Sequence, residues 1–230
     1  MQTLLDAIQE AIRLIFALDP AVIEITSRSL QVTITALSIS AVVGIPCGAW
    51  FALSKLPGKR ILTTFIYTGM GLPPVVVGLV VYLFLSRQGV FGDLGWLFSF
   101  RAMVIAQVIL ATPLVIGITM SSILGLDPNL RPQLRALGAT EWQITRALLF
   151  EARFGVILGL VAGFGAIISE VGAVMLVGGN IDGRTRVLTT AIVLETQRGH
   201  FEVALALGII LLSISFATNF LLMILQGRRW

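Results

Sequence analysis

Five long apolar runs decide what this chain can become. They are Leu30 to Leu53, Ile61 to Leu85, Ala102 to Leu126, Phe154 to Val177 and Val203 to Gln226, and only the fourth holds a charge, Glu170. A helix needs about 20 apolar residues to cross the hydrocarbon core of a bilayer. Each run is long enough for one crossing. Barrel strands are excluded, because they alternate faces over about ten residues while these runs are uniformly apolar. A helix also satisfies its own backbone hydrogen bonds in lipid. The runs therefore predict an all-α integral membrane protein with about five transmembrane helices.

Composition supports the same class. The 230 residues are 57% hydrophobic and 12% charged, whereas soluble domains carry about 25% charged residues. The apolar runs fill the chain, so residues 1–230 read as one domain with no room for a soluble catalytic module. The net charge of +4 does not point to nucleic acid, because the basic residues lie in short clusters between the runs. One histidine, His200, and one cysteine, Cys47, cannot build a zinc site or an intrachain disulfide. No serine-nucleophile elbow and no phosphate-binding loop occurs. No catalytic residue, metal ligand or cofactor is expected on this chain, so ATP-driven work would need nucleotide on another subunit.

Loop charges predict the orientation. Lys55, Lys59 and Arg60 fill the first connection, Arg131, Arg135, Arg146 and Arg153 mark the third, and Arg228 and Arg229 end the tail. Five spans put these regions on one side, and lysine and arginine favour the cytoplasm. The N-terminus would then lie outside a plasma or inner membrane and the C-terminus in the cytoplasm. The opposite side would hold residues 86–101 and 178–202, where Arg184, Arg186 and Arg198 are offset by Asp182, Glu195 and Glu202. Leu4, Leu5, Ile8, Ile12 and Ile15 recur at helical spacing before Asp19-Pro20, which predicts an amphipathic interfacial helix within residues 1–20. Asp6 and Glu10 stand where a removable leader would be basic, so no leader is expected. Pro46, Pro73-Pro74 and Pro113 are expected to interrupt the helical ladder inside the membrane.

The third connection, residues 127–152, is more elaborate than a crossing requires. Asp127 can cap a helix starting at Pro128, Gly138 can take the positive φ of a sharp turn, and Thr140 with Gln143 can form a capping box. The pattern predicts a helix–turn–helix offering Leu134, Leu137, Trp142 and several arginines to a partner. Leu137-Gly138-Ala139-Thr140, followed by Trp142, resembles the glycine half of the coupling loop of ABC importer permeases. Pro132-Gln133-Leu134 stands where that family carries Glu-Ala-Ala, and Phe150-Glu151 where it often has Leu-Pro. Glu170-Val171-Gly172-Ala173, Val177-Gly178-Gly179-Asn180-Ile181 and Thr185-Arg186, with Leu188-Thr189-Thr190-Ala191-Ile192 after it, resemble tungstate permeases, with molybdate permeases close behind.

The resemblance implies a type I ABC importer transmembrane domain. It implies two copies of the permease, two ATPase subunits that bind ATP-Mg, and an extracytoplasmic binding protein that delivers tungstate or molybdate. Leu134, Leu137, Gly138, Ala139 and Trp142 then become the ATPase-coupling residues. Gly178, Gly179, Asn180, Arg184, Thr185 and Arg186 fall near the outer mouth or pathway, where backbone N–H groups and arginine forks suit tetrahedral dianions. Docking of the binding protein is the competing role for that loop. Glu170 would repel an oxyanion, so a buried structural hydrogen bond is expected of it. Two alternatives stay open: an ABC permease for sulfate, and a secondary transporter driven by an ion gradient, which would need more mid-membrane acids than Glu170. A non-transporting membrane scaffold fits the helix pair poorly.

Overall fold

The computed structural model describes residues 19–54 and 57–225, together with Leu5, Asp6, Ile8, Gln9, Ile12 and Arg13 ahead of them. Those six residues are helical and exposed. The rest of the expected amphipathic helix and the basic tail from Arg228 to Trp230 lie outside the described residues.

Helix α1 spans Pro20–Leu53, with Pro20 at its first turn and the Asp19 carboxylate accepting from the N–H groups of Ala21 at 2.9 Å and Val22 at 3.2 Å. Its 34 residues extend about 50 Å. That exceeds the roughly 30 Å hydrocarbon core, so one end of α1 projects beyond it. The axis of the bundle is α4, Phe100–Leu124. Helix α1 runs parallel to it, with Gly44 against Val115, Gly48 against Ile116 and Thr119, and the Thr112 hydroxyl donating to that of Ser40 at 3.1 Å. Helix α7, Arg153–Ile168, runs antiparallel to α4 and sets Gly155 on Ser122, Gly159 on Ile118 and Gly163 on Val115. Small residues allow this close approach, which replaces the hydrophobic drive that lipid cannot supply. A β-carbon at Gly48 would lie 2.7 Å from the Ile116 carbonyl oxygen.

Two of the apolar runs are broken. The second forms α2, Lys59–Met70, and α3, Pro74–Leu85, which meet at 97°. Pro73 and Pro74 cannot donate to the preceding turn, and Pro74 starts the new helix instead. Pro46 and Pro113 each lack the N–H that would bond the carbonyl one turn back, yet both sit inside helices that run on without a break. The fourth run ends as α7 at Ile168 and resumes as α8, Gly172–Gly178. Packing explains this second break, since Gly172 rests on Val75 and Ala173 fills the space at Gly78, which turns α8 onto α3. Among the described residues, α1, α4 and α10, Phe201–Leu225, are long and apolar enough to cross a membrane, and bent pairs bring the count to as many as five.

The third connection forms α5, Leu130–Ala136, and α6, Glu141–Glu151, and α6 meets α7 at 67°. Lys59, Arg131 and Arg135 gather at this end, hereafter the basic face. Residues 178–202, read above as a loop, contain a further helix, α9, Leu188–Gln197. Its Leu188 and Ala191 pack with Leu207 and Ile210 of α10 and with Val22 and Ile25 at the projecting end of α1. The opposite face thus has an apolar core of its own.

Candidate functional site

On the basic face the predicted turn chemistry is present. Gly138 has φ 83°, and no atom lies within 4 Å of the position a β-carbon would take there, so the backbone angle alone calls for glycine. The Thr140 hydroxyl accepts from the Gln143 N–H, and the Gln143 side chain accepts from the Thr140 N–H at 2.8 Å, which closes the capping box. Asp127 differs from expectation. Its carboxylate accepts from the Asn129 N–H at 2.9 Å in a turn, and the helix starts only at Leu130. Ile144 and Leu148 are the buried residues of α6. Leu137 is 83% exposed and Trp142 75% exposed, while Leu134 and Ala139 are half-buried.

A clamp that sequence spacing does not reveal holds the pair. The Glu141 carboxylate accepts from Arg135 and, at 3.1 Å, from Arg131. Hydrogen bonds from Arg135 first and Arg131 second hold the Glu141 carboxyl below its ordinary range. Arg131 also donates to the Leu53 carbonyl at 2.8 Å, and Lys59 donates to the Ala52 carbonyl at 2.9 Å and that of Ser54 at 3.2 Å. Two cations therefore meet the negative end of α1. Arg131 links that helix end to the loop pair.

At the opposite face the segment from Gly178 to Arg186 folds around Thr185, which is buried. Its hydroxyl donates to the Gly178 carbonyl at 2.6 Å and accepts from the Ile181 N–H at 2.9 Å. The Ile181 carbonyl accepts from the N–H groups of Arg184, Thr185 and Arg186. Gly179 at φ 72° and Asn180 at φ 50° make the turn, and a β-carbon on Gly179 would meet the Phe98 ring at 2.8 Å. Arg186 pairs with Asp182 at 2.7 Å, so its charge is engaged. Arg184 is exposed and makes no side-chain bond among the described residues. Sequence reading missed Arg28, which donates to the Gly183 carbonyl at 3.0 Å and to Glu24 at 3.2 Å, fixing the segment to α1.

Glu170 lies at the break between α7 and α8, not within a continuous span. Its carboxylate accepts from the N–H groups of Ala173, at 3.0 and 3.1 Å, and Val174, at 3.2 Å, and so caps α8. Its carbonyl accepts from the Thr189 hydroxyl at 2.9 Å, and Gln107 donates to the Ile167 carbonyl at 3.0 Å. The break is thus held on both sides by polar groups from α4 and α9. The two groups of candidate residues occupy opposite ends of the molecule, and α7 and α8 connect them.

A helical membrane bundle with broken spans and a capped helix pair at one end defines the transmembrane domain of an ABC importer. A chain of the MetNI methionine ABC transporter, in an inward-facing conformation, has this fold, with a TM-score of 0.72 at 18% identity over 89% of this chain and 94% of that one. The chain belongs to the family of binding-protein-dependent transport system inner membrane components, which it matches over residues 44–230. It is 38% identical to the tungstate uptake system permease protein TupB of Peptoclostridium acidaminophilum, over 98% of this chain and 99% of that one. A protein of Haloferax volcanii described as a probable anion ABC transporter permease is 41% identical over 86% of this chain and 87% of its own. The molybdenum transport system permease ModB of Escherichia coli is more distant, at 28% over 82% of this chain and 91% of that one.

Proposed function

We propose that this chain is the membrane-spanning permease subunit of an ATP-driven importer of tungstate, with molybdate the next candidate. Two copies form the pathway, separate ATPase subunits carry ATP-Mg, and an extracytoplasmic binding protein delivers the oxyanion. The observation that carries the reading is the helix pair on the basic face, capped, clamped by Glu141, and open at Leu137 and Trp142. Large exposed apolar side chains on an otherwise polar loop suit a protein partner. The relatives supply the substrate class. The basic face is then cytoplasmic, and the segment from Gly178 to Arg186 faces the side from which substrate arrives.

Proteoliposomes holding the permease, its ATPase and its binding protein should accumulate tungstate only with ATP inside and loaded binding protein outside. Uptake driven by an ion gradient without ATP would replace the reading with a secondary transporter. Reporter fusions at Met1 and Trp230 should report opposite sides, with Trp230 cytoplasmic. At the mouth, Arg184 is exposed and makes no side-chain bond among the described residues, and exposed arginines steer partners in a salt-dependent way. Arg184→Ala should weaken capture of the binding protein at low salt more than at high salt. Unchanged capture with lost uptake would move Arg184 into the pathway.

A further inference from the structure

Helix α2 is unlike the rest of the bundle, because none of its 12 residues is buried within the chain. It starts at the basic face, where Lys59 holds the end of α1, and climbs along α4 until Gly69 meets Pro113, near the middle of that helix. Ile66 and Met70 rest on Gly117. Arg60, Thr64, Tyr67 and Thr68 fall at i, i+4, i+7 and i+8, and all four are exposed. Residues at that spacing share one face of a helix. The Tyr67 hydroxyl reaches the exposed Ser121 hydroxyl of α4 at 3.2 Å, so two helices contribute to one polar strip. Phe65 lies about 100° round the helix from Thr64 and is strongly exposed, while Ile61, seven positions before Thr68, borders the strip.

Lipid suits Phe65 but not the strip. An uncompensated hydroxyl facing hydrocarbon costs free energy, and the Thr68 hydroxyl makes no hydrogen bond among the described residues. We propose that Arg60, Thr64, Tyr67 and Thr68 of α2, with Ser121 of α4, form a water-filled wall along the basic-face half of the pathway, in which Tyr67 and Thr68 supply hydroxyl donors to the passing oxyanion while the Thr64 hydroxyl stays bonded to the Arg60 carbonyl at 2.9 Å. The proposal rests on the permease reading above. Hydroxyls suit that passage because conduction needs sites attractive enough to enter yet weak enough to leave. A buried arginine fork would hold a dianion too firmly. Arg60, the one cation of the strip, stands at its basic-face end, where it draws the anion toward the exit.

The test uses the complete transporter in nanodiscs, with Cys47→Ser as the background. A charged methanethiosulfonate reagent should modify Thr68→Cys and spare Phe65→Cys, since it reacts only from water. Thr68→Cys left unmodified in a complex that still hydrolyses ATP would overturn the proposal, whether lipid or a second copy covers the face. In proteoliposomes, Tyr67→Phe combined with Thr68→Val should lower tungstate uptake at least about tenfold, since each removes one hydrogen bond to a charged group. Stimulation of ATP hydrolysis by loaded binding protein should persist. Unchanged uptake would overturn the donor role. Failure of the permease reading itself would show separately, as no ATP-dependent uptake by the unsubstituted complex.

Discussion

At the basic face, α5 buries no residue and α6 buries only Ile144 and Leu148, while Leu137 and Trp142 stand in the open. At the opposite face, α9 buries Leu188, Thr189, Thr190 and Ala191 and packs into a core shared with α1 and α10. The first region is held by caps and charges on its surface, the second by its own interior. Surface ion pairs contribute little and are easily rearranged. An element so held can shift when a partner loads it. Buried hydroxyls that bridge backbone groups resist rearrangement, because breaking them leaves polar groups without partners. The molecule therefore joins an adaptable end to a fixed one, with the break at Glu170 between them.

The largest effect should come from Gly138→Val. The substitution meets no atom but forces a β-branched residue to φ 83°, a strain of about 1–3 kcal/mol that the loop relieves by re-aiming α6. Membrane insertion should survive, whereas ATPase capture or its stimulation by loaded binding protein should be lost. Full transport by the purified Gly138→Val complex would remove the adaptable end from the coupling role.

Trp142→Ala sharpens the same contrast at one side chain. A 75% exposed tryptophan adds little to the fold of the free chain. As an interface anchor it should cost about 2 kcal/mol or more in ATPase affinity, read by titration of the detergent-solubilised permease. A lowered melting temperature with normal ATPase affinity would reverse the comparison.

Thr185→Val attacks the fixed end. It removes the donor to the Gly178 carbonyl and the acceptor of the Ile181 N–H in a buried site, which should cost about 1–3 kcal/mol. Thermal unfolding should shift down with ATPase affinity unchanged. If instead Thr185→Val is silent in unfolding, the mouth is not the rigid element described.

The smallest effect concerns charge. Glu141 is held below its ordinary range by Arg135 and Arg131, and Glu195 likewise by the hydrogen bond from His200 and then by Arg198. A lowered carboxyl contributes stability that is fully present above the unfolded value, about 4.3, and is lost as pH falls through the folded one. The basic face should be unchanged from about pH 8 to pH 6. Below about pH 4 the Glu141 clamp should loosen, read as faster proteolysis between α5 and α6, while the packed α9 keeps its protection. Glu141→Gln should give the loosened pattern already at neutral pH, and a protease pattern identical to the parent would show that the clamp holds nothing.

Sequence alone determined the features that depend on neighbours along the chain. The spans α1, α4 and α10 follow from apolar runs, the turn at Gly138 from a residue free of a β-carbon, and the cap of α6 from Thr140 and Gln143 three positions apart. The candidate residues at both ends were legible in the same way, but not what holds them. Tertiary structure decided that the fourth run breaks at Glu170, that Thr185 turns inward, that α9 forms in an expected loop, and that Pro46 and Pro113 leave their helices whole. It also decided that Arg131 bonds Leu53, 78 positions away, and that Thr189 bonds the Glu170 carbonyl, 19 positions away. Local rules fix which backbone conformations a segment can adopt. Only the packing of distant segments settles which carbonyls lose their helical partners and which side chains arrive to replace them.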